Sequence, residues 1–222
     1  MTAFFITVFG IYLLFLILLL IGWSKSFSAE ETESSAHFLS VIIPFRNEEK
    51  NLFALIESLR KLDYPKEKFE LILIDDHSTD NSLNNARELS HDYPNFKVVS
   101  APANGKKSAI GYGVEISKGE IIVTTDADCE VPMDWLRSIS NQFQNPARCM
   151  VVGAVRIKTN DSFFSKLQSI EFSSLIGSAA STLSLGFPSM CNGAKNRQRE
   201  NNTRPRSRHE CDGLWNHPCK RF

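Results

Sequence analysis

The chain has 222 residues, with 25 basic and 25 acidic side chains and so no formal net charge at neutral pH. That balance excludes a partner held by bulk electrostatics, nucleic acid included, and 42% hydrophobic with 23% charged residues excludes a disordered or fibrous chain. The length suits one α/β domain with appendages.

The run from Ala3 to Trp23, "AFFITVFGIYLLFLILLLIGW", carries no charge. It has the length of about 20 residues that a helix needs to cross a hydrocarbon core. No lysine or arginine precedes it and no clear small-x-small site follows, so it reads as a transmembrane anchor rather than a cleaved leader. Lys25 close by, with Arg46 and Lys50 further on, places the rest of the chain on the cytosolic side. Five scattered cysteines, Cys129, Cys149, Cys191, Cys211 and Cys219, show no framework spacing, which suits a reducing compartment.

After a polar linker, strand-like and helix-like segments alternate. "FLSVIIP" (38–44) predicts a first strand, and Leu52, Leu55, Ile56 and Leu59 sit at helical spacing in "EEKNLFALIESLRKL". "FELILIDD" (69–76) predicts a second strand, and "STDNSLNNARELSHD" a helix with Ser78, Thr79 and Asp80 as candidate caps. "FKVVS" (96–100) is a third strand, and "KKSAIGYGVEISKG" a helix closed by Gly119. "EIIVTTD" (120–126) is a fourth strand, "MDWLRSISNQF" a helix and "CMVVGAVRI" (149–157) another strand. The segment 161–187 mixes an amphipathic start with small residues. Lys166 and Glu171 argue against a second membrane span, which leaves a helix packed on the domain or lying at the bilayer surface. Repeated β-α-β order with strands apolar throughout implies a mostly parallel sheet covered on both faces.

In such sheets ligands sit beyond the carboxyl ends of the strands. Three of these ends carry polar chemistry: Pro44-Phe45-Arg46-Asn47-Glu48, Asp75-Asp76-His77-Ser78 and Asp126-Ala127-Asp128. Carboxylates two apart in extended chain lie about 7 Å from each other and face the same way. Asp126 and Asp128 would repel unless a cation or donors intervene, and magnesium or manganese bridging to a diphosphate would answer their charge. On the residues alone a second reading stands, in which both aspartates cap the next helix. Other phosphate chemistries fit less well. "SAPANGKKS" fails the P-loop pattern at Ser100 and Lys107, no G-x-G-x-x-G follows the first strand, and Glu130 stands where an aspartyl-nucleophile phosphatase wants Thr or Val.

The set "SVIIPFRNEEKNL", "LILIDDHSTDNS", "NGKKSAIGYGVEISKGEIIVTTDADCEVPMDWL" and "MCNGA" resembles family 2 glycosyltransferases, from Phe38 to about Ala194. With its leading helix, the chain is similar to the bacterial membrane-anchored members. The resemblance implies a Rossmann-like GT-A fold, an inverting transfer from a nucleoside-diphosphate sugar to a saccharide or lipid acceptor, and Mg2+ or Mn2+. It also implies a cell-membrane location and a role in cell-envelope polysaccharide. By the same resemblance Pro44, Arg46 and Glu48 line the nucleotide pocket, and Asp75 and Asp76 contact base and ribose. Lys106 or Lys107 lies near the nucleotide, Asp126 approaches ribose and diphosphate, and Asp128 with Asp126 holds the metal. Without the resemblance, Glu48 reads as a first-turn helix acid, Asp75 and Asp76 as turn formers, and the lysines as a solvated helix start.

From Lys195 the sequence turns polar, with eight basic and three acidic residues and no apolar periodicity. The acidic acceptor-side base that the family uses is not located in the sequence. The chain therefore reads as a transmembrane anchor (1–24), a juxtamembrane linker (25–37), a GT-A domain incomplete at its C-terminal side (38–194) and a disordered basic tail (195–222) of frameshifted or truncated character. The alternative to an active transferase is a nucleotide-binding remnant without turnover.

Overall fold

Short, continuously apolar runs form the buried centre of the molecule. The computed structural model describes residues 1–26, 36–145, 148, 150–159, 162–187 and the backbone of 195–198. The strands are β1 (Leu39–Phe45), β2 (Phe69–Asp75), β3 (Phe96–Ser100), β4 (Ile121–Thr124), β5 (Met150–Val152) and β6 (Lys195–Gln198). The helices are α1 (Thr2–Ser26), α2 (Leu52–Arg60), α3 (Ser82–Ser90), α4 (Lys106–Ile116), α5 (Trp135–Gln142) and α6 (Phe163–Ser184). The chain divides into two compact units, one built on the sheet with α2 to α5, the other containing α1 and α6.

The sheet runs β3-β2-β1-β4-β6-β5. Its first four strands are parallel, and β6 lies antiparallel to both β4 and β5. This is the α/β architecture predicted from the alternation of elements. β1 is central and every one of its residues is buried. Its side chains alternate between two cores. Leu39, Val41, Ile43 and Phe45 join the larger one with Leu52, Leu55, Ile56 and Leu59 of α2 and Leu136 and Ile139 of α5. Ile42 joins the smaller one with Ile72, Ile74, Ile122 and Ala109 of α4. The predicted apolar stripe of α2 is therefore the face that covers the sheet.

Several boundaries differ from the sequence reading for identifiable reasons. α4 ends at Ile116, and Gly119 is not its stop. Instead Gly119 passes so near β1 that a Cβ on it would lie 2.4 Å from the Ser40 nitrogen. Its own N–H donates to Ser40 Oγ at 2.7 Å, and the Ser40 hydroxyl donates on to Glu70. β4 ends at Thr124 rather than Asp126, and β5 covers only 150–152 of the predicted 149–157. Residues 195–198, read from sequence as the start of the tail, enter the sheet as β6. Pairing uses only backbone N–H and C=O groups, which a polar sequence supplies as well as an apolar one. The remainder of the predicted tail, 199–222, lies outside the described residues.

α1 is the one helix among the described residues long and apolar enough to cross a membrane; its best window has a mean hydropathy of 3.0 and no part of that window is buried. α6 packs with α1 in the second unit.

The tight passage at Gly119 predicts that Gly119→Ala forces two backbones apart and costs about 1–3 kcal/mol. Gly111, in the same α4 region with open space at its Cβ position, gives the opposite sign: Gly111→Ala is expected to stabilise by about 0.4–1 kcal/mol. Denaturant unfolding of the two variants in detergent, compared with the parent chain, checks both.

Candidate functional site

From β1 the chain moves through α2, β2, α3 and β3 toward one edge of the sheet, then returns through α4 to β4 on the other side of β1. The loops beyond β1 and β4 must therefore diverge, and the space between them is where ligands bind in open α/β sheets. A cleft of about 210 Å³ opens there, lined by Pro44, Phe45, Arg46, Glu48, Asp76, Lys106, Asp126, Ala127 and Asp128.

The loops after β1 and β2 are laced together by hydrogen bonds. The Asn47 carboxamide oxygen accepts from the Thr79 N–H at 2.8 Å, and the Asn47 N–H donates to Ser78 Oγ at 3.1 Å. The Glu48 N–H donates to Ser82 Oγ at 2.8 Å, while Glu49 and Asp80 exchange contacts with opposite backbones at 3.4 Å. Asn47 and His77 adopt left-handed backbone, at φ 57° and 59°. Asparagine tolerates that region better than most residues, and here its side chain also makes the cross-loop bonds. Ser78, Thr79 and Asp80, expected as caps of α3, thus serve largely as links to the neighbouring loop. Asp80 also accepts the N–H and hydroxyl of Ser82.

A second tie fixes the start of α4. Asp76, 6% exposed, accepts the Gly105 N–H at 2.7 Å. Gly105 has φ 106°, a conformation that side chains disfavour, which explains a glycine immediately before the lysines. α4 begins at the next residue, and Lys106 reaches the cleft, its Nζ 2.7 Å from Asp126 Oδ1. Both side chains of that ion pair are more than half exposed. Such pairs contribute at most about 1 kcal/mol, so the lysine neutralises Asp126 without locking it.

Asp126 and Asp128 do not share an extended strand, as the spacing suggested. They sit in a turn beyond β4, closed by the Cys129 N–H donating to the Asp126 carbonyl at 3.3 Å. Between them Ala127 is 4% exposed and belongs to the larger core. That buried methyl holds the turn down while both carboxylates remain exposed on the cleft. Among the described residues no group of three or more His, Cys, Asp or Glu side chains converges. Two carboxylates with open positions suit Mg2+ or Mn2+, which take their remaining oxygens from water and phosphate, and do not suit a closed structural zinc site. Burial, with the Asp128 charge adding to it, pushes the Cys129 thiol up, so Cys129 is no ready nucleophile.

Pro44, Arg46, Glu48, Asp76, Lys106, Asp126 and Asp128 thus come together from three strand ends. Asp75 and Lys107 are not among the lining residues. The Asp75 side chain is turned to its own loop, where it accepts the Ser78 N–H at 3.1 Å. Phe45 and Ala127 line the cleft without having been singled out, since apolar residues inside polar motifs carry no chemical signal of their own.

Comparison with known proteins gives the family and the fold. The family model "Glycosyl transferase family 2" matches residues 40–211, which extends past Ala194 into the segment read as a tail. The beta-monoglucosyldiacylglycerol synthase of Nostoc sp. is 34% identical over 152 residues, 65% of this chain and 32% of that protein. The poly-beta-1,6-N-acetyl-D-glucosamine synthase of Staphylococcus epidermidis is 28% identical over 160 residues, 70% of this chain and 37% of that protein. The chain spans about a third of the length of the curated relatives it matches. Among solved structures, the mannosyltransferase PcManGT of Pyrobaculum calidifontis, in complex with GDP-Man and Mn2+, superposes with a TM-score of 0.61. It is 19% identical, and the match covers 86% of this chain and 55% of that one. That likeness shows a shared fold, GT-A.

The cross-loop bonds predict that Asn47→Ala, which loses both them and the tolerance for left-handed backbone, destabilises by about 1–2 kcal/mol. Asn47→Gly keeps the backbone and costs less, and Lys106→Met stays within about 0.5 kcal/mol. Thermal unfolding ranks the three. The Ser82 hydroxyl above all, with the Ser82 and Glu49 N–H groups, holds the Asp80 carboxyl below its usual range. The link it makes is therefore complete above the ordinary carboxylate pKa and is lost as pH falls through the lowered value. An NMR titration of the Asp80 side chain checks this.

Proposed function

The chain belongs to glycosyl transferase family 2, and from that membership we propose that its sheet unit binds a nucleoside-diphosphate sugar in the β1/β4 cleft and transfers the sugar, with inversion, to a lipid or saccharide acceptor. The observation that carries the reading is the convergence of Arg46, Glu48, Asp76, Lys106, Asp126 and Asp128 on one cleft at the point where the chain reverses direction across the sheet. The donor class is supported by the GDP-Man in the PcManGT complex, and the acceptor class by the lipid and polysaccharide products in the names of the relatives.

In this reading the Pro44–Glu48 loop and Asp76 hold the nucleoside, with Asp76 already fixed through Gly105. Lys106 turns from Asp126 toward the diphosphate when the donor enters. The exchange costs little because the existing ion pair is exposed. Asp126 and Asp128 would hold Mg2+ or Mn2+, which would supply positive charge to a departing diphosphate. Ala127 keeps the two carboxylates presented together. An inverting displacement requires a base within hydrogen-bond reach of the attacking hydroxyl to take its proton, and none of the cleft residues above is assigned that role. We further place α1 across the cell membrane, with the sheet unit on the cytosolic side, where activated sugars are made.

Calorimetric titration of the chain in detergent with nucleoside diphosphates, with and without manganese, tests the donor site. Binding that strengthens with the metal is expected, and Asp128→Asn should abolish the metal-dependent part while Lys106→Met weakens binding by a charge contact of about 1.5–3 kcal/mol. Absence of metal-assisted binding of any nucleoside diphosphate overturns the assignment. Binding without donor hydrolysis or transfer assigns the chain to the remnant reading.

A further inference from the structure

α6 carries one face, apolar in its first half and built of small residues in its second, that its neighbours only half cover. Phe163, Leu167, Ile170, Ser174, Gly177 and Ser181 recur at spacings of three and four and so share one face. At the Ser181 end this face meets α1: a Cβ on Gly22 would lie 2.3 Å from the Ser181 carbonyl oxygen, and the Trp23 ring lies beside Gly177. Ser181 is 2% exposed there. Toward its N-terminal end the same helix leaves Phe163, Phe164, Leu167 and Ile170 between 49% and 82% exposed.

The identity of the missing cover follows from what holds the helix. α1 is apolar around its circumference, with its phenylalanines and every leucine but Leu19 exposed, so the medium it is made for is hydrocarbon. α6 is clamped to α1 near Trp23 and Lys25, the residue types that mark the boundary between lipid and water. The hydroxyls along the second half of α6 bond to their own helix. Ser174, Ser178, Ser181, Thr182 and Ser184 each donate to a carbonyl of the preceding turn, and need no water. Lys166 and Glu171 in the first half make a full crossing of the bilayer costly, at about 2.5–3.5 kcal/mol for a charge at the centre, but suit the headgroup zone. We propose that the first half of α6 lies in the plane of the membrane interface, its Phe163-Leu167-Ile170 face on lipid, with the α1 crossing as its fixed point.

This rests on α1 spanning the membrane, and the test separates the two. The photoreactive residue p-benzoylphenylalanine is introduced at Phe9 in α1, at Leu167, or at exposed Gln168, which lies off the Phe163-Leu167-Ile170 face of α6. Each full chain is reconstituted in vesicles of phosphatidylethanolamine and phosphatidylglycerol, irradiated and weighed by mass spectrometry. Lipid adducts at Phe9 and Leu167 with none at Gln168 are expected. Adducts at Phe9 alone, or equal adducts at Leu167 and Gln168, overturn the in-plane helix and leave the anchor standing. No adduct at any position overturns the anchor and this inference together. A protein adduct at Leu167 overturns it in favour of a second chain on that face.

Discussion

Two like charges held side by side at the end of a buried strand are the constraint around which the sheet unit is organised. Asp126 and Asp128 stand on one turn, separated by a methyl group that the core retains. Exposed carboxylates on one turn repel each other only weakly through water, and nearby positive charge relieves that repulsion. Part of the answer is built in. The Asp76 carboxylate fixes Gly105, Gly105 starts α4, and the first residue of α4 brings an ammonium to Asp126. The second carboxylate, Asp128, faces open cleft.

The scaffold supplies rigidity where this chemistry needs it. β1, β2 and β4 carry the three loops and are almost wholly buried, and the two cores grip β1 from opposite faces. The loops are then bound to one another rather than only to their own strands, through Asn47, Ser78, Thr79, Asp80 and Ser82. Such lacing lowers the reorganisation needed when a charged ligand arrives. α1 and α6 form a separate unit, joined by close backbone approach at Gly22 and carrying hydroxyls bonded to their own helix.

The parts of this arrangement that repeat were legible in sequence. The 3.6-residue spacing of Leu52, Leu55, Ile56 and Leu59 gave α2 and its buried face, and the uninterrupted apolar runs gave a mostly parallel sheet. The cleft was legible because polar residues cluster at three strand ends, and seven of the named candidates line it. What eluded the sequence was governed by contacts between distant segments. Gly119 looks like a helix stop and is a point of backbone contact with Ser40. Ser78 and Thr79 look like caps and are cross-loop acceptor and donor. Asp75 and Asp76 look equivalent, yet one turns to its own loop and the other to α4. Local pattern cannot distinguish such pairs, since the partner lies dozens of residues away. The four-residue β6 eluded it because backbone pairing leaves no mark on composition.

The strand order carries a consequence for biosynthesis. Leu39 pairs with Phe69 on one side and with Ile121 on the other. A nascent chain can therefore close the first of these ladders early, but β1 keeps an open flank until synthesis has passed β4. During that interval an apolar strand with unpaired amides is available to any passing partner, and contacts so far apart in sequence form slowly. The vulnerable species is thus the half-made protein, and a pause in translation between β3 and β4 would lengthen its exposure.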